Sequence, residues 1–285
     1  QRAALRGTDE NVSQALSGWR PTVSLSGTAG HKRVDSKSAG DRSLGQRNVE
    51  LSVSQPLYRG GRTQAATRQT ENLVMAGRAQ LIATEQRVLL AAATNFLNVL
   101  RDQALVTLNR NNVQVLNKQL EATRDRFQVG EITRTDVAQA EARVSGAVSQ
   151  RVQAEGNLTS TRAAFASVVG FAPGNLVKPA PLTNMPQSER DALALSLENN
   201  PTLAIAMYNE RASHHAVRGE LGSLYPTVSL SGDLSETEDG TSRGSAVSSA
   251  FLGVTVSVPL YQAGGAYSSL RQSRYVNSQR RIQVE

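Results

Sequence analysis

A stretch of this chain occurs twice. Trp19-Arg20-Pro21-Thr22-Val23-Ser24-Leu25-Ser26-Gly27 returns as Leu224-Tyr225-Pro226-Thr227-Val228-Ser229-Leu230-Ser231-Gly232, displaced by 205 residues from Pro21 to Pro226. Val53-Ser54-Gln55-Pro56-Leu57-Tyr58, followed by Gly60-Gly61, returns as Val256-Ser257-Val258-Pro259-Leu260-Tyr261, followed by Gly264-Gly265, displaced by 203 residues from Pro56 to Pro259. Two segments repeated in order at nearly one spacing mean a duplicated unit. A period of roughly 200 residues excludes a solenoid, whose repeats run about 20–50 residues. Gln1 falls inside what reads as a helix and the second copy stops at Glu285 soon after its Gly-Gly, so the expectation is a fragment of a longer protein, truncated at both ends.

Both repeated segments read as strands. Val23 and Leu25 alternate with Thr22, Ser24 and Ser26, and Val49, Leu51 and Val53 alternate with Asn48, Glu50, Ser52 and Ser54. Val228 and Leu230, then Leu252, Val254, Val256 and Val258, repeat the pattern. Successive strand side chains point to opposite faces, so each segment has one aliphatic and one polar face. Strands are expected at Thr22 to Gly27, Asn48 to Leu57, Thr227 to Gly232 and Leu252 to Leu260. The polar, Gly-bearing stretches His31 to Gly45 and Glu236 to Ser245 then read as long hairpin loops. A half-buried sheet of a soluble protein and a share of an outer-membrane barrel both fit this alternation.

The chain between the copies is helical in character. No proline falls between Pro56 and Pro173, and Ala, Gln, Arg, Leu, Glu and Asn dominate. Met75, Ile82, Leu89 and Phe96 recur every seventh residue, as do Val99, Val106, Val113, Leu120 and Phe127, with a three-residue phase jump that overwinds a coiled coil locally. A helix from Arg62 to Arg126 would be roughly 100 Å long at 1.5 Å per residue. It breaks at Val129-Gly130-Glu131-Ile132-Thr133-Arg134-Thr135-Asp136, where Gly130 suits a left-handed C-terminal cap and Thr135 or Thr133 an N-cap. A second helix follows to about Val169. After a Pro-rich stretch with an amphipathic patch at Arg190 to Leu197, Asn200-Pro201 opens a third helix that reaches about Leu224.

Composition excludes several classes. The chain carries no cysteine, so it has neither disulfides nor a thiolate metal site. A net charge of +7 is scattered without aromatic interleaving, which speaks against nucleic acid. No apolar run approaches the roughly 20 residues of a spanning helix, so any membrane span must be made of strands. His31, His214 and His215 lack metal-ligand spacing and read as surface residues. Glu236, Glu238 and Asp239 could form a weak cation site or simply a solvated acidic loop. Neither a nucleophile elbow nor a phosphate-cradling loop with its lysine is present, so no catalysis and no cofactor are expected, and energy for any transport must come from a partner.

Strand pair, Pro-Leu-Tyr-x-x-Gly turn, very long helix, Val-Gly hairpin with Thr-Asp, and tandem duplication together resemble the TolC family of outer-membrane efflux ducts over essentially the whole chain. The resemblance implies an α+β membrane protein in which a long α-helical coiled-coil hairpin forms a periplasmic tunnel. Each protomer gives four β-strands to a trimeric twelve-stranded β-barrel in the outer membrane of a Gram-negative bacterium. It implies a homotrimer, outer-membrane lipid, a periplasmic adaptor and an inner-membrane transporter as partners, and a passive exit duct for efflux or type I secretion. The alternative is a soluble periplasmic coiled-coil adaptor or scaffold.

The implied segments are residues 1–20, the end of a tunnel helix; 21–58, the first barrel hairpin; 59–170, the long helical hairpin; and 171–200, an equatorial segment. Then come 201–225, a returning helix; 226–261, the second barrel hairpin; and 262–285, the start of a second long helix. Pro56, Tyr58, Gly60 and Gly61, with Pro259, Tyr261, Gly264 and Gly265, match the family's strand-to-helix junctions, where proline would end the ladder and glycines let the backbone swing. Val129, Gly130, Glu131, Thr135 and Asp136 match the periplasmic tip, where the tunnel narrows and adaptors dock, although Glu131 stands where many members carry an apolar residue. Three copies of Asp136 there would form an acidic ring, with the Thr135 hydroxyl in its network; capping the helix is the plainer role for either.

Overall fold

The computed structural model describes residues 1–36, 40–181, 183, 185–240 and 244–285, with backbone alone for 34–36 and 40–42. Helix α1 (Arg2–Leu16) leads through a short 3₁₀ turn into strands β1 (Thr22–Ser36) and β2 (Gly40–Arg59). Helices α2 (Arg62–Gln128), α3 (Arg134–Val169), α4 (Glu189–Asn199) and α5 (Pro201–Gly222) follow, then β3 (Thr227–Glu238), β4 (Ala246–Ser257) and α6 (Gly265–Ile282). The chain divides into two compact units, Gln1–Ile82 with Ala194–Glu285, and Ala83–Leu193.

The first unit holds a four-stranded antiparallel sheet of order β1-β2-β3-β4. Its register aligns the repeats: Val23 faces Val53, which faces Gly232, which faces Leu252. On the next rung of the same face lie Leu25, Leu51, Leu234 and Ala250. The strands exceed expectation toward the hairpin end. His31 to Ser36 pairs with Gly40 to Gly45 as ladder, and β3 continues through Glu236 to Glu238. Much of the expected loops is therefore strand, because backbone pairing continues past the aliphatic residues once both faces are polar. Residues 37–39 and 241–243 lie outside the described residues. At the other end β4 stops at Ser257, so Val258 and Leu260 lie beyond the ladder.

Helices pack through small residues in this unit. Ala65, Ala76 and Ala79 of α2 are buried with Thr63 and Val74, whereas Met75 and Ile82 of the expected heptad series are 40% and 50% exposed. A Cβ built on Gly77 would lie 3.1 Å from the Leu5 side chain, so the α1 side of α2 is made of residues that let a neighbour approach. Helix α5 has its cap at Asn200, whose side chain accepts from the Thr202 N–H at 2.9 Å, with Pro201 in the first turn. On the α6 side, the Asn277 amide donates to Ser213 Oγ at 2.8 Å and to Glu210.

In the second unit the latter heptad series forms the seam. Val99, Val106, Leu158 and Phe165 make its core, with Phe96, Ala154, Val169 and Leu176 packed against it. Val113, Leu120 and Ala147 are buried along the same seam, and Arg110–Glu155 and Arg124–Glu141 pair across it at 2.9 and 2.7 Å. Leu89, of the earlier series, is 69% exposed. Asp102 interrupts the seam between Val99 and Val106: one carboxylate oxygen accepts from Arg101 Nε at 2.8 Å and the other is buried without a protein partner.

Candidate functional surfaces: an aliphatic sheet face, two junctions and a hairpin turn

The sheet inverts the usual arrangement of a soluble protein. Its aliphatic face, including Val23, Leu25, Val49, Leu51, Val53, Leu234, Leu252, Val254 and Val256, is exposed, whereas Ser52, Ser54, Ser231, Asp233, Ser235 and Thr237 on the polar face of the central strands are half-buried. Hydroxyls pair across the polar face, Ser24 with Ser52 at 2.7 Å and Ser235 with Ser249 at 2.8 Å, and Thr237 donates to Asn48 Oδ1 at 2.9 Å. Phe251 breaks the pattern. Register sets it among Ser24, Ser52 and Asp233, and its ring occupies the space above Gly253, where a Cβ would overlap it.

Both outer strands have an open edge, since β1 pairs only with β2 and β4 only with β3 among the described residues. Unpaired edges and an exposed aliphatic face call for cover, which further strands along the edges and lipid over the face would supply.

Within a few residues of each strand's helix-side end stands one amphipathic aromatic: Trp19, Tyr58, Tyr225 and Tyr261. They are 49%, 48%, 47% and 87% exposed, and no Trp or Tyr lies between 22 and 57 or between 227 and 260. Such residues favour the water–lipid boundary, where the ring is apolar and its polar atom wet. Alternation and heptad periodicity do not reveal this belt, although four aromatics spaced around four strands carry its signal in the sequence. Gln55, on the aliphatic face, donates to the Trp19 and Pro56 carbonyls at 2.8 and 2.9 Å, so its amide is tied to backbone at this end.

The junction residues differ from expectation in one respect. Pro56 does not end the ladder: β2 runs on to Arg59 across a bulge between Pro56 and Tyr58, which absorbs the missing N–H. Gly60 and Gly61 have φ of +63° and +78°, and Gly264 has +77° and caps α6, with Gly265 opening the helix. Gly60 is buried against Gly222, where a Cβ on either would overlap the other's carbonyl oxygen. A glycine near a helix end has many ordinary uses, so no sequence signal sets Gly222 apart.

At the hairpin turn Gly130 has φ of +79°, its N–H bonds to the Phe127 carbonyl at 3.1 Å, and the Glu131 N–H bonds to the Arg126 carbonyl at 3.0 Å. These two bonds close α2 in a Schellman motif. Helix α3 is capped by Thr133, not Thr135, because Asp136 stands three residues after Thr133 and completes a capping box. Asp136 Oδ2 accepts from the Thr133 N–H at 2.9 Å and from its hydroxyl at 2.7 Å. These bonds hold the Asp136 carboxyl below its ordinary pKa. Val129 is 73% exposed beside them.

His215 is not a surface residue. It is half-buried on α5, its Nδ1 lacks a protein partner, and burial, His214, Arg218 and Arg68 push its pKa down against a smaller opposing effect of Glu71. Among the described residues no helix is long and apolar enough to cross a membrane.

A four-stranded sheet with an exposed aliphatic face, interrupted in sequence by a long helical hairpin, defines the class: an α+β fold of the outer-membrane channel type. The chain belongs to the outer membrane efflux protein family, which matches residues 1–170. It is 32% identical over its whole length to outer membrane efflux protein BepC of Brucella suis, of which it covers 62%. It is 25% identical over 93% of its length to outer membrane protein TolC of Vibrio cholerae, again covering 62%. Its fold matches the outer membrane protein VceC of Vibrio cholerae with a TM-score of 0.83 at 18% identity, covering 99% of this chain and 70% of VceC. The chain thus spans about three-fifths of the length of these two relatives, and it is an outer-membrane protein with a periplasmic helical part.

Proposed function

We propose that this chain supplies the wall of a passive outer-membrane exit duct, built as a homotrimer whose sheets close into one twelve-stranded barrel. The observation that carries this reading is the inside-out sheet with two open edges. Four strands cannot close on themselves without leaving unpaired backbone in lipid, and sheets from symmetry-related copies would pair edge to edge. A soluble coiled-coil adaptor accounts for the helical hairpin but has no use for an exposed aliphatic sheet bounded by aromatics.

The seven segments from 1–20 to 262–285 serve in this reading as tunnel helix, barrel hairpins and equatorial connection. The turn at Val129, Gly130, Glu131, Thr135 and Asp136 is the tip at which a periplasmic adaptor docks, in turn joined to an inner-membrane transporter that supplies energy. Asp136, held ionised by Thr133, gives three carboxylates around a narrow opening, a ring that favours cations. The test is purification of the intact protein in detergent, its mass by light scattering, and conductance in planar bilayers. A trimer with uniform, cation-preferring conductance is expected. A water-soluble monomer would overturn the reading, and unchanged conductance and reversal potential in Asp136→Ala would remove Asp136 from the gate.

A further inference from the structure

The duplication is carried into the sheet residue for residue. Shifting β1 by the 205 residues of the first repeat and β2 by the 203 of the second turns the pairs Val23–Val53 and Leu25–Leu51 into Val228–Val256 and Leu230–Val254, and these are the pairs the second hairpin makes. The two hairpins are therefore equivalent in register, and the seam between them, β2 on β3, shows how one hairpin of this sequence meets the next. An edge-to-edge meeting of two copies repeats that seam with β4 in the place of β2 and β1 in the place of β3. The same displacements then set Ser257 opposite Ser26, Thr255 opposite Thr28, Gly253 opposite Gly30 and Phe251 opposite Lys32 of a second copy, and they keep each strand's aliphatic face on the same side.

The residues at this edge suit such a meeting. On the polar face Asp233 lies opposite Phe251 and is half-buried, with Glu50 on the diagonal at about 7–8 Å. The basic side chains described on that face, Lys32 and Arg59, stand toward its two ends. Lys32 is eight residues along β1 from Ser24, which shares the rung of Asp233, and Arg59 pairs with Thr227, six residues from Asp233. At about 3.4 Å per residue both are roughly 20 Å or more away, against a Debye length of about 8–10 Å, so neither neutralises Asp233 within one copy. Lys32 is exposed, and Phe251 is 58% exposed with the outer end of its ring over Gly253. Gly30 has open space where a side chain would stand, so the facing strand leaves room beside that ring. At the internal seam the corresponding pair is Asn48 and Thr237, joined by a hydrogen bond of 2.9 Å. We propose that Lys32 of a second copy lies across Phe251 and carries its ammonium to Asp233, so that a cation–π contact and an ion pair replace that hydrogen bond at the seam between subunits. Its flexible four-carbon stem spans the one intervening strand. This inference rests on the barrel reading above and gives its closure a register.

The experiment uses the intact protein in detergent. Thr28→Cys/Thr255→Cys sets two thiols across the seam at a Cα separation of about 4.5–5.5 Å, within disulfide reach, whereas Ser26→Cys/Thr255→Cys and Gly30→Cys/Thr255→Cys are one rung off. Oxidation should cross-link the first pair between copies at least about tenfold faster than either shifted pair. Lys32→Met, which keeps the apolar stem, and Asp233→Asn should each hasten dissociation of the trimer roughly tenfold, with the double variant no worse than either alone. Lys32→Arg should dissociate like the parent. Faster cross-linking of a shifted pair, no cross-link in a protein that is still trimeric, or dissociation rates that are unchanged or additive would each overturn this contact alone. A protein that is monomeric in detergent and cross-links at no pair sinks the barrel reading itself.

Discussion

At the first strand-to-helix junction Gly60 is buried and meets the backbone of Gly222, whereas at the second Leu260 and Tyr261 are 92% and 87% exposed. The letters are nearly the same, and so is the left-handed glycine that turns strand into helix. What differs is the neighbour. Helix α5 ends against the first junction and stands between α2 and α6, packing on the α2 side through Gly219 near Ala65 and on the α6 side through Glu210 and Ser213. Duplication has preserved the backbone instruction while the packing around each copy has diverged. A repeat therefore predicts local conformation better than it predicts the energetic weight of a residue.

The largest effect should appear at Gly60. Gly60→Ala combines a positive φ with a Cβ that would overlap the Gly222 carbonyl oxygen, and should cost more than about 3 kcal/mol or prevent folding, read as loss of the thermal unfolding transition. Gly264→Ala meets open space and should cost only about 1–2 kcal/mol from its backbone conformation. Equal costs at the two glycines would erase the distinction between the junctions.

Along the second copy, Leu252 shares a rung with Val53 and Val23, while Val256 lies one residue from the end of β4. Leu252→Arg should therefore cost about 2–4 kcal/mol and Val256→Arg about 0–1 kcal/mol, measured by urea titration in detergent or lipid. A costlier Val256→Arg would move the membrane toward the helices and with it the aromatic belt.

The two flanks of α5 give smaller effects. Asn277→Ala should cost about 1 kcal/mol by removing the bonds to Ser213 and Glu210. On the α2 flank the expected effect is a pH dependence. Because the folded pKa of His215 is lowered, its neutral form is favoured in the fold; the stability it contributes is present above the unfolded value of about 6.5 and is lost as pH falls through the folded value. Thermal unfolding should show a smaller loss on acidification for His215→Gln than for the parent, and an identical loss would assign the pH response elsewhere.

Much of this architecture is legible in the chain's own letters. Alternation marks the faces of β1 to β4, and the absence of proline marks α2. Gly130 and Asn200 mark helix ends because their side chains, or lack of one, suit only a few backbone shapes. Hydrophobicity is a poor guide to where strands stop, since ladders extend into polar sequence at His31 to Ser36. The capping threonine has two candidates, and the three-residue spacing from Thr133 to Asp136 decides between them. His215 looks like its neighbour His214 in sequence, yet adjacent helical residues point in different directions, and only the placement of α2 tells which one is covered. The Gly60–Gly222 contact joins residues far apart in the chain, where no local pattern could reveal it.

The open edges of β1 and β4 bear on how such a chain is made. Before assembly, a sheet with its aliphatic face outward would offer water both a greasy plane and two rows of unsatisfied amides and carbonyls, the ingredients of uncontrolled association. The helices carry no such hazard, since their backbone bonds are internal. If such sheets close into one barrel as proposed, passage across the periplasm is safest with the helical segments formed and the strands still unpaired, and closure becomes the committing event.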